Sequence, residues 1–263
     1  MTDSARWHSA ITSIQPNEIR LRGYRIDQLM GGASFADTVY LALRGELPSP
    51  GVSKVVNAVL VSSVDHGVTP PSALAARNAA STGAPLNACV ASGVLAINRY
   101  HGGAVEGAME FFMREVDRAM ASSVNLSDAA SQCVARCRSE KVRVPGFGHR
   151  IHTDDPRSAK LFEVASETGN FGEHCEFSRH FRASLARELG RDLPINVDGA
   201  IAAVLCDLGF TPDVANAFFV ISRVVGLVAH SSEERKRERP MRTIDQSRCT
   251  YDGPAPCDIT NGE

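Results

Sequence analysis

Four side chains suited to proton transfer lie at the ends of predicted helices or in a predicted loop. His66 and His101 each follow an apolar helical segment, His149 closes a glycine-rich loop, and Asp198 precedes a fully apolar helix. Imidazole accepts or donates a proton near neutral pH, and a carboxyl group held in a dry site can act as an acid. Together the four side chains could perform acid–base chemistry at a carbonyl compound.

Each of these residues alone also has a structural explanation. A histidine at a helix C-terminus interacts favourably with the helix dipole, which is the simpler explanation for His66 or His101 taken singly. Asp198 could be an N-cap with no further role. The loop of Gly146 and Gly148 could be an ordinary turn, although glycine also lets the backbone approach a ligand closely. The combination of residues therefore indicates a site more strongly than any single one.

Three arginines are the candidates for binding carboxylates. Arg157 and Arg223 lie in predicted helices, and Arg239 follows the last one. The planar guanidinium pairs with a carboxylate through two hydrogen bonds, which lysine cannot do. For Arg239 the alternative is a solvated basic tail, because five basic side chains lie between residues 235 and 242.

Composition and motifs exclude several classes of function. The formal net charge is −2, so no general positive field attracts nucleic acid or anionic lipid. Walker, nucleophile-elbow and zincin motifs do not occur. Residues 1–10 have no apolar stretch of signal-peptide length, and polar residues interrupt the most apolar segment, residues 214–229. We expect a cytoplasmic protein that neither spans a membrane nor binds nucleic acid.

The cysteines favour core packing over metal binding. Seven scattered cysteines, an odd number, are typical of reduced cytoplasmic thiols. Cys133 and Cys137 could share a helix face as two metal ligands, yet no second pair follows at zinc spacing. We therefore expect no metal and no cofactor.

The periodicity predicts a mainly α protein of nine or ten helices. Ser34 and Asp37 form a capping box before a helix that Gly45 ends. Residues 53–63 and 88–97 are apolar nearly all round, which is typical of interior helices. Other helical patterns cover residues 104–120, 155–169, 177–189 and a long segment from 211, and a small hairpin is predicted around residues 19–21.

The helices are expected to form one unit with two lobes. The large lobe covers residues 1–103 and 196–245, the small lobe residues 104–195, and residues 246–263 form a polar tail. A cleft between the lobes is the natural place for an active site.

Taken in order, several short motifs resemble those of the citrate synthase superfamily over residues 17–245. They are Pro145-Gly146-Phe147-Gly148-His149, Asp155-Pro156-Arg157, Asn196-Val197-Asp198, Ser222-Arg223 with Gly226 and His230, and Arg239-Pro240. Within the superfamily, Asp65-His66-Gly67 and Asn196-Val197-Asp198-Gly199 are similar to citryl-CoA lyases, either stand-alone or as the C-terminal module of ATP-citrate lyase. Tyr100-His101-Gly102-Gly103 is instead similar to the synthases.

The resemblance implies a helical fold with a large and a small lobe and a retro-Claisen cleavage of citryl-CoA to acetyl-CoA and oxaloacetate. It implies His149 as base, His66 as a hydrogen-bonding partner, His101 as donor to the thioester oxygen, and Asp198 as the acid that protonates the enolate. Arg157, Arg223 and Arg239 would anchor carboxylates. The loop of Gly146, Phe147 and Gly148 would meet coenzyme A. In the family the Arg-Pro arginine reaches the neighbouring subunit, which implies an obligate homodimer or a higher homo-oligomer.

Two alternatives stay open from the sequence. The first is condensation, as in citrate synthase or 2-methylcitrate synthase, in which Asp198 would be the base. The second is a non-catalytic helical partner subunit, which the complete set of His66, His101, His149, Asp198 and Arg223 disfavours.

Overall fold

Eleven helices and one small sheet make up the part of the chain that the computed structural model describes, residues 7–148 and 154–258. The mainly α fold class is confirmed. The predicted base His149 lies outside the described residues. The division into two lobes stays a prediction.

The elements follow each other without a repeat. The strands are β1 Thr12–Gln15, β2 Glu18–Leu21 and β3 Tyr24–Arg25. The helices are α1 Ile26–Gly32, α2 Phe35–Arg44, α3 Pro50–Ser62, α4 Pro71–Ser81, α5 Leu86–Leu95, α6 Ala104–Ala121, α7 Leu126–Ser139, α8 Pro156–Glu167, α9 Glu173–Leu189, α10 Val197–Asp207 and α11 Pro212–Arg237. A 3-10 turn, Gln246–Arg248, lies in the exposed C-terminal segment.

Local signals place several of these elements correctly. The capping box of Ser34 and Asp37 begins α2, and Gly45 ends it with a φ of 89°. Asp155 caps α8, as its position before a proline predicts. The predicted hairpin is present, and β3 extends it to a three-stranded antiparallel sheet. Helices α1 and α4 were not predicted.

Helix α10 lies at the centre of the core. Nine of its eleven residues are buried, and it packs against α6, α8 and α9. An aromatic cluster from α6, α9 and the loop between α7 and α8 fills the space beside it. Its members are Phe111, Phe112, Phe147, Phe177 and Phe181. Such packing fixes the start of α10, which carries Asp198.

The prediction of interior helices is right for α3 and wrong for α5. Four apolar side chains of α3 are buried, whereas α5 buries only Cys89 and Gly93. Leu86 and Leu95 of α5 are exposed, Leu95 by 77%. The sequence pattern could not distinguish the two helices. A helix that is apolar on all sides tends to be buried, but a partner molecule can bury it as well as its own chain can.

Helix α11 is the longest element and contacts α3, α4, α5 and α6. By length and composition alone it could cross a membrane, but half of its most apolar window is buried inside the protein. It also carries the buried polar side chains of Arg223, His230 and Glu234. These partners and this packing are those of a core helix.

Candidate active site

Asp198 lies in the first turn of α10 and is not the residue that caps it. The cap is Asn196, whose side-chain oxygen accepts a hydrogen bond from the Gly199 amide at 3.1 Å. The structural explanation of Asp198 as an N-cap is therefore wrong. Burial raises the pKa of the Asp198 carboxyl group, and the nearby charges of Arg157 and Arg223 oppose that shift. A carboxyl group in this position is suited to act as an acid.

The glycine-rich loop lies directly on the start of α10. Gly146 has a φ of 87°, and its carbonyl oxygen accepts a hydrogen bond from the Asn196 amide at 3.0 Å. A Cβ atom added to Gly199 would lie 2.3 Å from that oxygen. Glycine at both positions is thus required by close contact between loop and helix.

Hydrogen bonds also fix the last described residue before His149. The Gly148 amide donates to the Pro194 carbonyl oxygen at 2.7 Å, and the Asn196 side-chain amide donates to the Gly148 carbonyl oxygen at 2.9 Å. The chain therefore reaches His149 from a point attached to the cap of α10. The role of His149 itself stays a prediction.

Phe147 belongs to the loop that the resemblance assigns to coenzyme A, but its side chain faces the protein interior. It is 7% exposed, and its ring centroid lies 4.8 Å from that of Phe181 and 6.1 Å from that of Phe112. The ring belongs to the aromatic core, so a ligand at this loop would meet backbone atoms.

Arg157 is paired within the chain. Its Nε and Nη2 atoms donate to the two carboxylate oxygens of Asp155 at 3.0 and 2.8 Å. Asp155 is fully buried, and the side chain of Arg157 is 23% exposed. Asp155 therefore neutralises the charge of Arg157 and orients its guanidinium.

Arg223 has the features of an anion anchor. It is 2% exposed, its Nε atom donates to the Ser63 carbonyl oxygen at 3.0 Å, and its guanidinium lies 4.6 Å from the ring centroid of Phe219. Its buried Nη1 atom has no hydrogen-bond partner among residues 7–148 and 154–258. Burial lowers the pKa of Arg223, and the charges of Asp65 and Asp198 oppose that shift. An anionic ligand would satisfy the Nη1 donor.

The resemblance implies oxaloacetate as a ligand of this site. On that expectation, replacing Arg223 with leucine should weaken its binding by about 10- to 150-fold, because a hydrogen bond to a charged group contributes about 1.5–3 kcal/mol. Affinity for coenzyme A should stay near the wild-type value. The measurement is calorimetry with each ligand separately.

Arg44→Leu is the matched control, because Arg44 also stacks on a phenylalanine, Phe210, and donates to a backbone oxygen, that of Gly209. It lies at the far end of α10 from Asp198. Unchanged affinity of Arg223→Leu for oxaloacetate in a folded protein would remove Arg223 from the site.

His101 is held by Ser72 beside Phe219. Its Nε2 atom lies 2.7 Å from the Ser72 hydroxyl, and its ring meets Phe219 edge to face at 5.9 Å between centroids. Burial lowers the pKa of His101, and the charges of Arg223 and His66 lower it further. The lowered pKa favours the neutral imidazole. Because Nε2 is bonded to Ser72, Nδ1 is the nitrogen available to a ligand.

His66 and Arg239 are both exposed, but at different places. His66 lies in the turn after α3, and its charge acts on His101. Arg239 follows the end of α11, beside a surface groove between residues 80–85 and 234–241. At 1.5 Å per residue, α11 separates Arg223 from Arg237 by about 21 Å. Arg239 therefore lies far from Arg223 of its own chain.

The described residues offer no obvious metal centre. They contain no group of three or more histidine, cysteine or acidic side chains that could hold an ion. Cys133 is buried, and burial raises the pKa of its thiol and of Cys137, which disfavours the thiolate form that binds metals. The absence of a cofactor stays a prediction.

Sequence reasoning missed the roles of Asp65, Ser72 and Ser63. Asp65 accepts a hydrogen bond from His230, which lies 165 positions later in the chain, and Ser72 bonds His101. Both Asp65 and His230 lie in quoted motifs, so the motif itself was a signal. The pairing was not readable, because nothing local links residues so far apart.

Comparison with known proteins places this site in context. The family model described as citrate synthase, C-terminal domain, matches residues 48–244. The structure of citryl-CoA lyase from Hydrogenobacter thermophilus is 41% identical over 97% of both chains, with a TM-score of 0.87. The ATP citrate lyase of Methanothrix soehngenii, solved with citrate and coenzyme A, shares the fold at 20% identity with a TM-score of 0.82, covering 99% of this chain and 44% of that one.

Curated relatives include citrate synthase 2 of Bacillus subtilis, which is 28% identical over 222 residues. That match covers 83% of this chain and 56% of the relative. The chain thus spans little more than half the length of this relative.

Proposed function

Because the chain belongs to the citrate synthase family, we propose that it is a citryl-CoA lyase that cleaves (3S)-citryl-CoA to acetyl-CoA and oxaloacetate. The observation that carries this proposal is the 41% identity to a citryl-CoA lyase over 97% of both chains. The arrangement of Asp198, His101 and Arg223 around the start of α10 and the end of α3 supports it. A cytoplasmic location is part of the proposal.

The first step removes the proton of the tertiary hydroxyl group. His149 accepts it, and His66 hydrogen-bonds the same oxygen or the adjacent carboxylate. The carbonyl group of oxaloacetate then forms as the carbon–carbon bond breaks, and the electron pair of that bond moves into the acetyl-CoA part as an enolate.

The second step stabilises and then protonates that enolate. Neutral His101 donates a hydrogen bond to the thioester oxygen, where the negative charge collects. Asp198 delivers its proton to the enolate carbon and gives acetyl-CoA. The raised pKa of Asp198 supports this role, because the acid must be protonated when the enolate forms.

Carboxylate binding divides among the three arginines. Arg223 offers a buried donor that no described residue satisfies, and Arg157 presents a guanidinium whose orientation Asp155 fixes. Backbone atoms of the loop of Gly146 and Gly148 contact the coenzyme A part. Arg239 acts in the site of a partner subunit.

A homodimer accounts for the uncovered apolar side chains of three adjoining helices. Helices α4, α5 and α11 pack against one another. Large apolar side chains on all three are exposed; they are Leu74, Leu86, Leu95, Val225 and Val228. A second copy of the chain would remove them from water and would bring its Arg239 to a site that this chain's own Arg239 does not reach.

Mixing Arg239→Ala with His149→Ala tests this sharing of sites. Each variant alone should be inactive, and subunit exchange should restore part of the activity, because one hybrid site then has neither defect. Two batches of the same variant, mixed in the same way, are the control. Fully exchanged hybrids that stay inactive would contradict the action of Arg239 across the interface.

Condensation is the second candidate, because the curated relatives include citrate synthases. Incubation with oxaloacetate and acetyl-CoA or propionyl-CoA distinguishes the two functions through free thiol. Hydrolysis of the thioester drives synthesis forward, so a synthase releases coenzyme A continuously. A lyase should release little thiol, and sustained release would favour citrate synthase or 2-methylcitrate synthase.

A further inference from the structure

Three residues on one face of α11 hold the turn that carries His66. Ser222, Gly226 and His230 are spaced by four residues, so they lie on the same side of the helix. Ser222 donates from its hydroxyl to the Leu60 carbonyl oxygen. Together the three residues form the surface of α11 that contacts residues 60–67, the α11 seat.

Gly226 lets the turn lie against the helix backbone. A Cβ atom added there would lie 2.4 Å from the Val64 carbonyl oxygen and 3.0 Å from Oδ1 of Asp65. Any larger residue would push the turn away from α11. The close approach brings Asp65 within reach of the next residue of the seat.

Hydrogen bonds fix both carboxylate oxygens of Asp65. Oδ1 lies 2.9 Å from Nε2 of His230, and Oδ2 accepts from the Gly67 amide at 2.9 Å. Burial opposes ionisation, but these hydrogen bonds hold the pKa of Asp65 below its usual value. The carboxylate of Asp65, the residue before His66, is therefore bonded both to Gly67, the residue after His66, and to His230 of α11.

Arg77 selects the tautomer of His230. Nδ1 of His230 lies 3.5 Å from Nη1 of Arg77, a guanidinium that can only donate. Nδ1 therefore accepts, and Nε2 carries the hydrogen that is donated to Asp65. Arg77 is itself held at 2.8 Å by Glu234, which is 1% exposed. The donor toward Asp65 is thus fixed by a buried ion pair.

We propose that His230 is a positioning residue, whose Nε2–H bond to Asp65 sets the turn on the α11 seat and so places His66 against the substrate. The role in turnover rests on the proposed lyase function. The effect on the turn does not depend on it.

Two variants separate the two nitrogens of His230. His230→Gln puts an amide NH₂ near the position of Nε2 and can still donate to Asp65, whereas His230→Asn reaches only the position of Nδ1. We expect His230→Asn to lower kcat for citryl-CoA by about 100-fold, as a displacement of about 1 Å at a reacting group does. His230→Gln should retain most of kcat, and KM should change little in both.

Leu227→Ala is the control for lost packing on the same helix, because Leu227 is buried, packs at Gly93 of α5 and carries no hydrogen-bonding group for Asp65. It should lower stability without the loss of kcat. Equal loss of kcat in the Gln and Asn variants would overturn the proposal, and so would a loss in Leu227→Ala as large as that in His230→Asn.

Amide hydrogen exchange of residues 60–67 gives a readout without activity. Exchange at Gly67 should be faster in His230→Asn and near wild type in His230→Gln and Leu227→Ala. Unchanged exchange in His230→Asn would show that the seat does not hold the turn. If the exchange pattern is as expected but the wild-type protein does not cleave citryl-CoA, the lyase function fails and the hold on the turn stands.

Discussion

Replacing Asp198 with asparagine is expected to lower turnover of citryl-CoA by about 10²- to 10⁴-fold, because the enolate then lacks its general acid. This corresponds to roughly 3–5 kcal/mol of activation free energy. Asparagine has nearly the same shape, and Asn196 already caps α10, so melting temperature and citryl-CoA binding should stay near wild type. Exchange of solvent deuterium into acetyl-CoA should fall with turnover.

The pH dependence of that reaction follows from the same residue. Burial raises the pKa of Asp198, so its protonated form extends to higher pH than for an exposed aspartate. Since the acid must be protonated, wild-type kcat should fall as pH rises through that pKa, and the fall should be absent from the residual activity of Asp198→Asn.

Asn196→Ala is the matched control for Asp198→Asn. Removing the true cap should cost about 0.5–2 kcal/mol in the free energy of unfolding. If Asp198→Asn keeps more than about one tenth of wild-type turnover, the acid is another residue, since general acids contribute far more than that.

Replacing His101 with alanine is expected to lower kcat by about 10²- to 10³-fold, the usual effect of removing one donor to a developing oxyanion. Binding of oxaloacetate should change little, because the proposed mechanism assigns its carboxylates to the arginines and not to His101. Burial lowers the pKa of His101 below the usual range of a histidine, so the neutral donor is favoured at neutral pH. Single-turnover kinetics measures the chemical step directly.

His101→Asn keeps an amide donor near Nδ1 and should recover part of the lost rate. Ser72→Ala removes the partner of Nε2 and should produce a smaller defect than His101→Ala. An alanine variant with wild-type kcat would mean that the thioester oxygen is stabilised elsewhere.

The parts of the fold that local chemistry determines could be predicted from the sequence. The capping box of α2 and the Asp155 cap of α8 use side chains that bond within three residues, so their pattern is visible in the chain. The start of α10 was located correctly, but the sequence suggested Asp198 as a possible cap, whereas the cap is Asn196. Asn196 and Asp198 can both cap a helix, and only the backbone shows which one does.

The features that were not predicted depend on partners far away in sequence or outside the chain. The bond between Asp65 and His230 joins residues that are far apart in the sequence. Leu95 of α5 is exposed, and nothing in the sequence distinguishes this leucine from a leucine in the core. The pairing of Arg157 with Asp155 is local, yet the sequence does not show whether an arginine binds a ligand or forms an ion pair within the chain.

Cleavage of synthetic (3S)-citryl-CoA in deuterium oxide tests the central claim most directly. Products are identified by mass spectrometry, with heat-denatured protein as the blank. A lyase should give equal amounts of oxaloacetate and acetyl-CoA, with one deuterium in the acetyl group from the acid that protonates the enolate. Release of citrate and free coenzyme A without acetyl-CoA, or no turnover at all, would contradict a lyase function.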